Sequence, residues 1–144
     1  MRAATCFLLL SVNIAVNAQS GLLINELQAA NHSTVTDSVG RTPDWIELYN
    51  AGHARVDLVG MRIAIAGRQH VIDAPLAVAP KGHVMLSCDA HPERGSDHLG
   101  FTLPRNGGTA LLIAADGTTI MDVFTWPALS SDVSMGRVLS LIHI

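Results

Sequence analysis

The chain has 144 residues, a formal net charge of −3, 49% hydrophobic and only 15% charged residues. That length suits one domain, and the apolar content supplies a core and excludes an intrinsically disordered chain. The weak negative charge offers no basic field for a phosphate backbone, so nucleic acid is not an expected partner. Twelve glycines and six prolines spread along the chain predict many turns and short strands.

Residues 1–18 read as a signal peptide. Arg2 gives a positive start, CFLLLSVNIAV is too short for a comfortable membrane span, and Val16, Asn17 and Ala18 precede an expected cut before Gln19. The protein is therefore expected to be secreted, at the cell surface or in the periplasm, with no membrane contact after cleavage. Export leaves one cysteine, Cys88, so no internal disulfide forms and packing alone must hold the domain. Cys88 ends the apolar run HVMLSC and reads as a small buried hydrophobe.

Period-two apolar segments then follow one another. LLINELQ (residues 22–28) is the first. In DWIELYN (44–50), Ile46 and Leu48 point one way and Trp45, Glu47 and Tyr49 the other. Short pieces at 56–58, 61–66 and 70–73 come next, with Gly67-Arg68-Gln69 as a tight connection. Pro75 and Pro80 bracket an edge segment before the strand at 83–88. Residues 88–95 read as a polar loop, 99–103 as a short strand and Asn106-Gly107-Gly108 as a turn. TALLIAA and TTIMDVFTW flank Asp116-Gly117, a dipeptide suited to a hairpin turn in which both residues take positive φ. Eight or nine short strands without a sustained helical period predict an antiparallel β-sandwich or barrel.

Asp44 and Glu47, three apart on a strand, fall on opposite faces and form no acid–base pair. Asp44 is expected to tie a loop through backbone N–H groups. Trp45, Glu47 and Tyr49 form the candidate binding surface, an aromatic platform for a sugar or partner segment. The competing expectation is that residues 31–42 fold over this face and cover the rings. Glu26 would meet Glu47 or Asp44 if the first two strands pair, giving oxygen ligands of the calcium type. Without an Asp-x-Asp-x-Asp-Gly loop, Glu26 reads instead as a hydrogen-bond anchor for the first loop. CDAHPERGSDH gathers Cys88, Asp89, His91, Asp97 and His98, but its spacing is irregular for zinc, and a solvated loop is expected. Neither a Gly-x-Ser-x-Gly elbow nor a His-Glu-x-x-His pair occurs. No catalytic residue, cofactor or metal is assigned, and the chain is expected not to be an enzyme.

LLINELQAAN, PDWIELYNAG, VDLVGMRIA and APLAVAPKGHVMLSC, closed by FTLPRNGGTALLIAADGTTIMDVFTW and DVSMGR, resemble the secreted bacterial type of lamin-tail domain. The resemblance covers about residues 22–138, and the order INE, DWIELYN, SMGR carries its specificity. It implies an immunoglobulin-like antiparallel β-sandwich acting as an interaction or spacer module. The implied partners are other domains of the same full-length protein or cell-surface components. It also implies an alternative role, as the N-terminal accessory domain of a larger secreted enzyme of spore-coat-kinase-like, nuclease-like or phosphatase-like type. Met135 stands where that family often has an aromatic before Gly-Arg, and the family's Pro-Asp-Gly continuation after Val138 is absent. The final six residues, LSLIHI, resemble translated sequencing adapter. The expected organisation is thus a leader at 1–18, a β-sandwich domain at 19–138 and a non-native tail at 139–144.

Overall fold

The computed structural model describes residues 21–137. The expected leader and tail lie outside the described residues. The period-two segments become strands β1 (Leu22–Gln28), β2 (Asp44–Asn50), β3 (Val56–Asp57), β4 (Arg62–Ile65), β5 (Arg68–Val71) and β6 (Ala77–Val78). They continue as β7 (His83–Cys88), β8 (His98–Leu99), β9 (Gly107–Ile113), β10 (Ile120–Pro127) and β11 (Met135–Gly136). Among the described residues a 3-10 turn at Pro92–Arg94 interrupts them. No helix among the described residues is long and apolar enough to cross a membrane.

One sheet has the order β11-β1-β2-β7-β8 and a second the order β10-β9-β4-β5, with β3 and β6 forming a small ribbon. Pairing is antiparallel except between β7 and β8. The inner faces share one core: Ile24, Leu27, Ile46, Leu48 and Leu86 come from the five-stranded sheet, and Ile63, Leu112 and Phe124 from the four-stranded one. The fold is therefore an all-β, two-sheet sandwich, one of the two architectures, sandwich or barrel, that the strand pattern predicts. Ile46 and Leu48 are fully buried, which fixes the register of β2.

A β-bulge between Ile24 and Glu26 makes the first strand depart from simple alternation. Asn25 is the extra residue, so Ile24 and Leu27, three apart, both reach the core. The Ile24 N–H donates to Asp122 Oδ2 at 2.7 Å on β10. Asp122 also pairs with Arg137 at 3.0 Å through Oδ1. Arg137 donates to the Val123 carbonyl at 2.6 Å, lies over Phe124 at 5.3 Å, and its backbone N–H donates to Asn25 O at 2.8 Å. This short segment after β11 thus clasps both sheets.

The turn expectations need two corrections. The tight connection after β4 is Ala66-Gly67, not residues 67–69, because both residues have positive φ, 51° and 76°. Ile65 and Arg68 pair directly across it, so the two-residue turn with primed geometry falls here. At Asp116-Gly117 only Gly117 is left-handed (φ 78°). The Ala114 carbonyl accepts from the Gly117 N–H, the Asp116 carboxylate takes the Thr118 and Thr119 N–H groups, and the loop is longer than a two-residue turn. The expected strand at 99–103 shrinks to β8, followed by an isolated bridge between Asp89 and Thr102. Gly107 and Gly108 belong to β9 rather than only turning the chain: a Cβ on Gly108 would meet the Trp126 ring at 2.9 Å, so the indole packs flat across its strand partner.

Candidate interaction face

Strand register arranges the outer face of the five-stranded sheet in rows. Gln28, Trp45 and Ser87 lie side by side, then Glu26, Glu47 and Met85, then Leu23, Tyr49 and His83. Side chains on one face two positions apart along a strand are neighbours, so the three sequence-predicted residues sit in three successive rows. They do not stay equivalent.

Trp45 is 5% exposed. Its indole N–H donates to Gln28 Oε1 at 2.8 Å, and Gln28 is itself buried and also accepts the Thr34 hydroxyl at 2.6 Å. The loop at 31–42 is held over this row by Asn31, whose amide donates to the Val35 and Pro43 carbonyls at 2.6 and 2.8 Å. Asp44 closes it by accepting the Asn31 N–H at 3.0 Å, the backbone tie expected of it. Burial pushes the Asp44 carboxyl up, and the Asn31 bond offsets only part of that effect. The expected cover therefore operates, but on one ring alone. What remains above Trp45 is a groove of about 260 Å³, lined among others by Val35, Asp37, Ser87, Arg94 and His98.

Tyr49 escapes the loop. It is partly exposed and stacks on His83 with ring centroids 4.5 Å apart and planes 25° from parallel. His83 was not among the sequence-predicted residues. The signal was its alternation in HVMLSC, which puts it on the outer face, but only the β2–β7 register sets it opposite Tyr49. Glu47 lies in the next row, accepting the Asn25 amide at 2.7 Å and standing 3.8 Å from His83 Nε2. The core-face position of Asp44 and the outer position of Glu47 keep these carboxylates apart, as alternation requires.

Glu26 is the Cα register partner of Glu47, so β1 and β2 pair as that expectation required. Its loop-anchoring role is different from that expected. Glu26 accepts the Ser134 hydroxyl at 2.5 Å, next to β11, and does not hold the first loop. The first loop is instead fastened by Asp132, which accepts the His32 and Ser33 N–H groups at 2.7 and 3.0 Å. Hydrogen bonds from Ser33 and His32 hold the Asp132 carboxyl below its usual range.

The segment after β7 is ordered by its own polar groups and is not simply a solvated loop. Asp89 Oδ2 accepts from His98 Nδ1 and Arg94 Nη1, both at 2.9 Å, and Asp89 Oδ1 takes the His91 N–H at 3.0 Å. Burial pushes Asp89 up, but the His98 and Arg94 bonds outweigh it and bring its carboxyl below the ordinary value. His98 is buried in β8, while Cys88 packs in the core. Burial first, and then the nearby Asp44 and Asp89 carboxylates, push the Cys88 thiol well up, so it stays a protonated packing group. Among the described residues, no cluster of three or more His, Cys, Asp or Glu side chains is placed to hold a metal ion.

The three motifs that carry the family resemblance meet in space. Asn25 reaches Glu47, Glu26 takes Ser134, and the Arg137 N–H bonds the Asn25 carbonyl. INE, DWIELYN and SMGR are thus consecutive parts of one seam along β11, β1 and β2. No family model matches the chain, and no curated protein matches it.

Proposed function

We propose that this chain is a secreted, non-enzymatic β-sandwich module of the lamin-tail type, immunoglobulin-like in its strand arrangement. It works by binding other domains of its own protein or components of the cell surface. The observation that supports this reading is the convergence of INE, DWIELYN and SMGR. Three hydrogen bonds tie the motifs to one another, at Asn25–Glu47, Glu26–Ser134 and Arg137–Asn25, and that use is architectural. The partly exposed row of Leu23, Tyr49 and His83 is left facing outward beside Glu26 and Glu47, as a surface for contact.

The test is an assay of the purified chain against ester, phosphoester, glycoside and nucleic-acid substrates. No turnover above background is expected. Turnover that disappears on a single substitution within residues 21–137 overturns the non-enzymatic reading, because contamination would not follow the mutation.

A further inference from the structure

We infer that the outer face of the five-stranded sheet around Glu26, Glu47, Tyr49 and His83 docks a lysine- or arginine-bearing polypeptide segment. The inference rests on the reading of the chain as a binding module and names the chemistry of its partner. Glu26 and Glu47 are direct partners across β1 and β2, and like charges in that position repel. Each carboxylate is hydrogen-bonded, to Ser134 and to Asn25, but by neutral donors. Among the described residues neither carboxylate forms an ion pair with a lysine or arginine; Glu47 has only the His83 ring, at 3.8 Å. Arg137 follows Gly136, the register partner of Glu26, yet its guanidinium turns inward onto Asp122 and Val123. Among the described residues no lysine or arginine therefore neutralises either carboxylate.

Beside the carboxylates lies a flat surface. The Tyr49–His83 stack, with Leu23 in the same row, presents ring faces and edges to solvent, and the His83 side chain is 47% exposed. One ligand chemistry uses both features. A lysine or arginine lays its alkyl stem along the rings and sets its cation against Glu26 and Glu47, gaining charge neutralisation and a cation–π contact together. A neutral sugar would use the rings and leave the two carboxylates without a cation. A second copy docked face to face would bring four carboxylates together, so self-association through this face is opposed by its own charge.

Titration of the full ¹⁵N-labelled chain with tetralysine, and separately with chitotetraose, followed by NMR, tests this directly. Tetralysine is expected to shift amides in β1, β2 and β7 around Glu26, Tyr49 and His83, with an affinity that falls as salt is raised. The isosteric double variant Glu26→Gln, Glu47→Gln keeps both hydrogen-bond acceptors and should bind about tenfold more weakly. Glu93→Gln, which removes an exposed carboxylate elsewhere, should bind as the parent does. Unchanged affinity in the double variant overturns the inference. So do shifts confined to other surfaces, equal or tighter binding of chitotetraose, or a dimer in sedimentation that the double variant dissociates. None of these results requires catalytic turnover, so failure here leaves the non-enzymatic reading to its own separate test.

Discussion

The backbone N–H of Ile24 in one sheet donates to Asp122 Oδ2 in the other at 2.7 Å, and both groups are buried. That N–H points away from β2, beyond the short pairing with β11, and Asp122 receives it while its other oxygen holds Arg137. A buried donor, a buried carboxylate and a guanidinium satisfy one another at this point. Asp122→Ala should therefore cost about 2–4 kcal/mol, since it orphans a buried N–H and unpairs Arg137. Asp122→Asn, which keeps an acceptor but loses the charge, should cost roughly half of that. Urea melts of the three proteins measure the difference, and equal midpoints would show that the clasp contributes nothing.

Ile46 and Glu47 are adjacent and opposite in fate. Ile46 is fully buried, so Ile46→Asp places an unpaired charge in the core at a cost comparable to a domain's net stability of about 5–15 kcal/mol. The expected outcome is an unfolded protein by circular dichroism. Glu47→Ala loses the Asn25 bond and should cost about 1 kcal/mol. Similar stability in the two variants would mean that the register of β2 is shifted by one residue.

Ala66 occupies a left-handed conformation, with φ of 51°, in the β4–β5 turn. A side chain with a Cβ is disfavoured there by roughly 1–2 kcal/mol, and asparagine tolerates it far better. Ala66→Asn should raise the melting midpoint, by about 0.5–1 kcal/mol of stability. A fall in stability would show that the turn does not hold this geometry in solution.

Asp116 is held at about 2 by bonds from the Thr119 hydroxyl and the Thr119 and Thr118 N–H groups. Burial pushes Asp37 up, but Arg41 and its backbone bonds bring it likewise to about 2. In each case the folded value lies below the ordinary 3.8, so the unfolded chain binds the proton first as pH falls. Their stabilisation is complete above about pH 4 and is lost as pH drops towards about 2. Asp116→Asn should flatten the dependence of urea midpoint on pH within that window. An unchanged slope would show that the loop bonds are absent in solution.

Cys88 should be inert in the native state. Its burial and raised pKa predict slow reaction with a thiol-specific disulfide reagent at pH 8, and fast reaction once urea unfolds the domain. Rapid native labelling would place the thiol at a surface, against its position in the core.

Alternation by itself determined that Ile46 and Leu48 face the core, that Asp44 and Glu47 part company, and that the chain is all-β, because strand periodicity is a property of neighbouring residues, whereas the choice of sandwich over barrel needed the pairing of the strands. It also put Trp45, Glu47 and Tyr49 on one face. Only the tertiary structure separated them. Whether a ring is covered depends on where a distant loop lands, and Asn31 and Gln28 bring residues 31–42 onto Trp45 while Tyr49 stays in the open against His83. The pairing of Glu26 with Glu47 was foreseeable only as a condition on β1 meeting β2. The bulge at Asn25, the reach of Arg137 to Asp122 and the bond from Ile24 to Asp122, 98 residues apart, had no local signal, because charge and hydrogen bonding are satisfied there between strands and across sheets rather than along a strand.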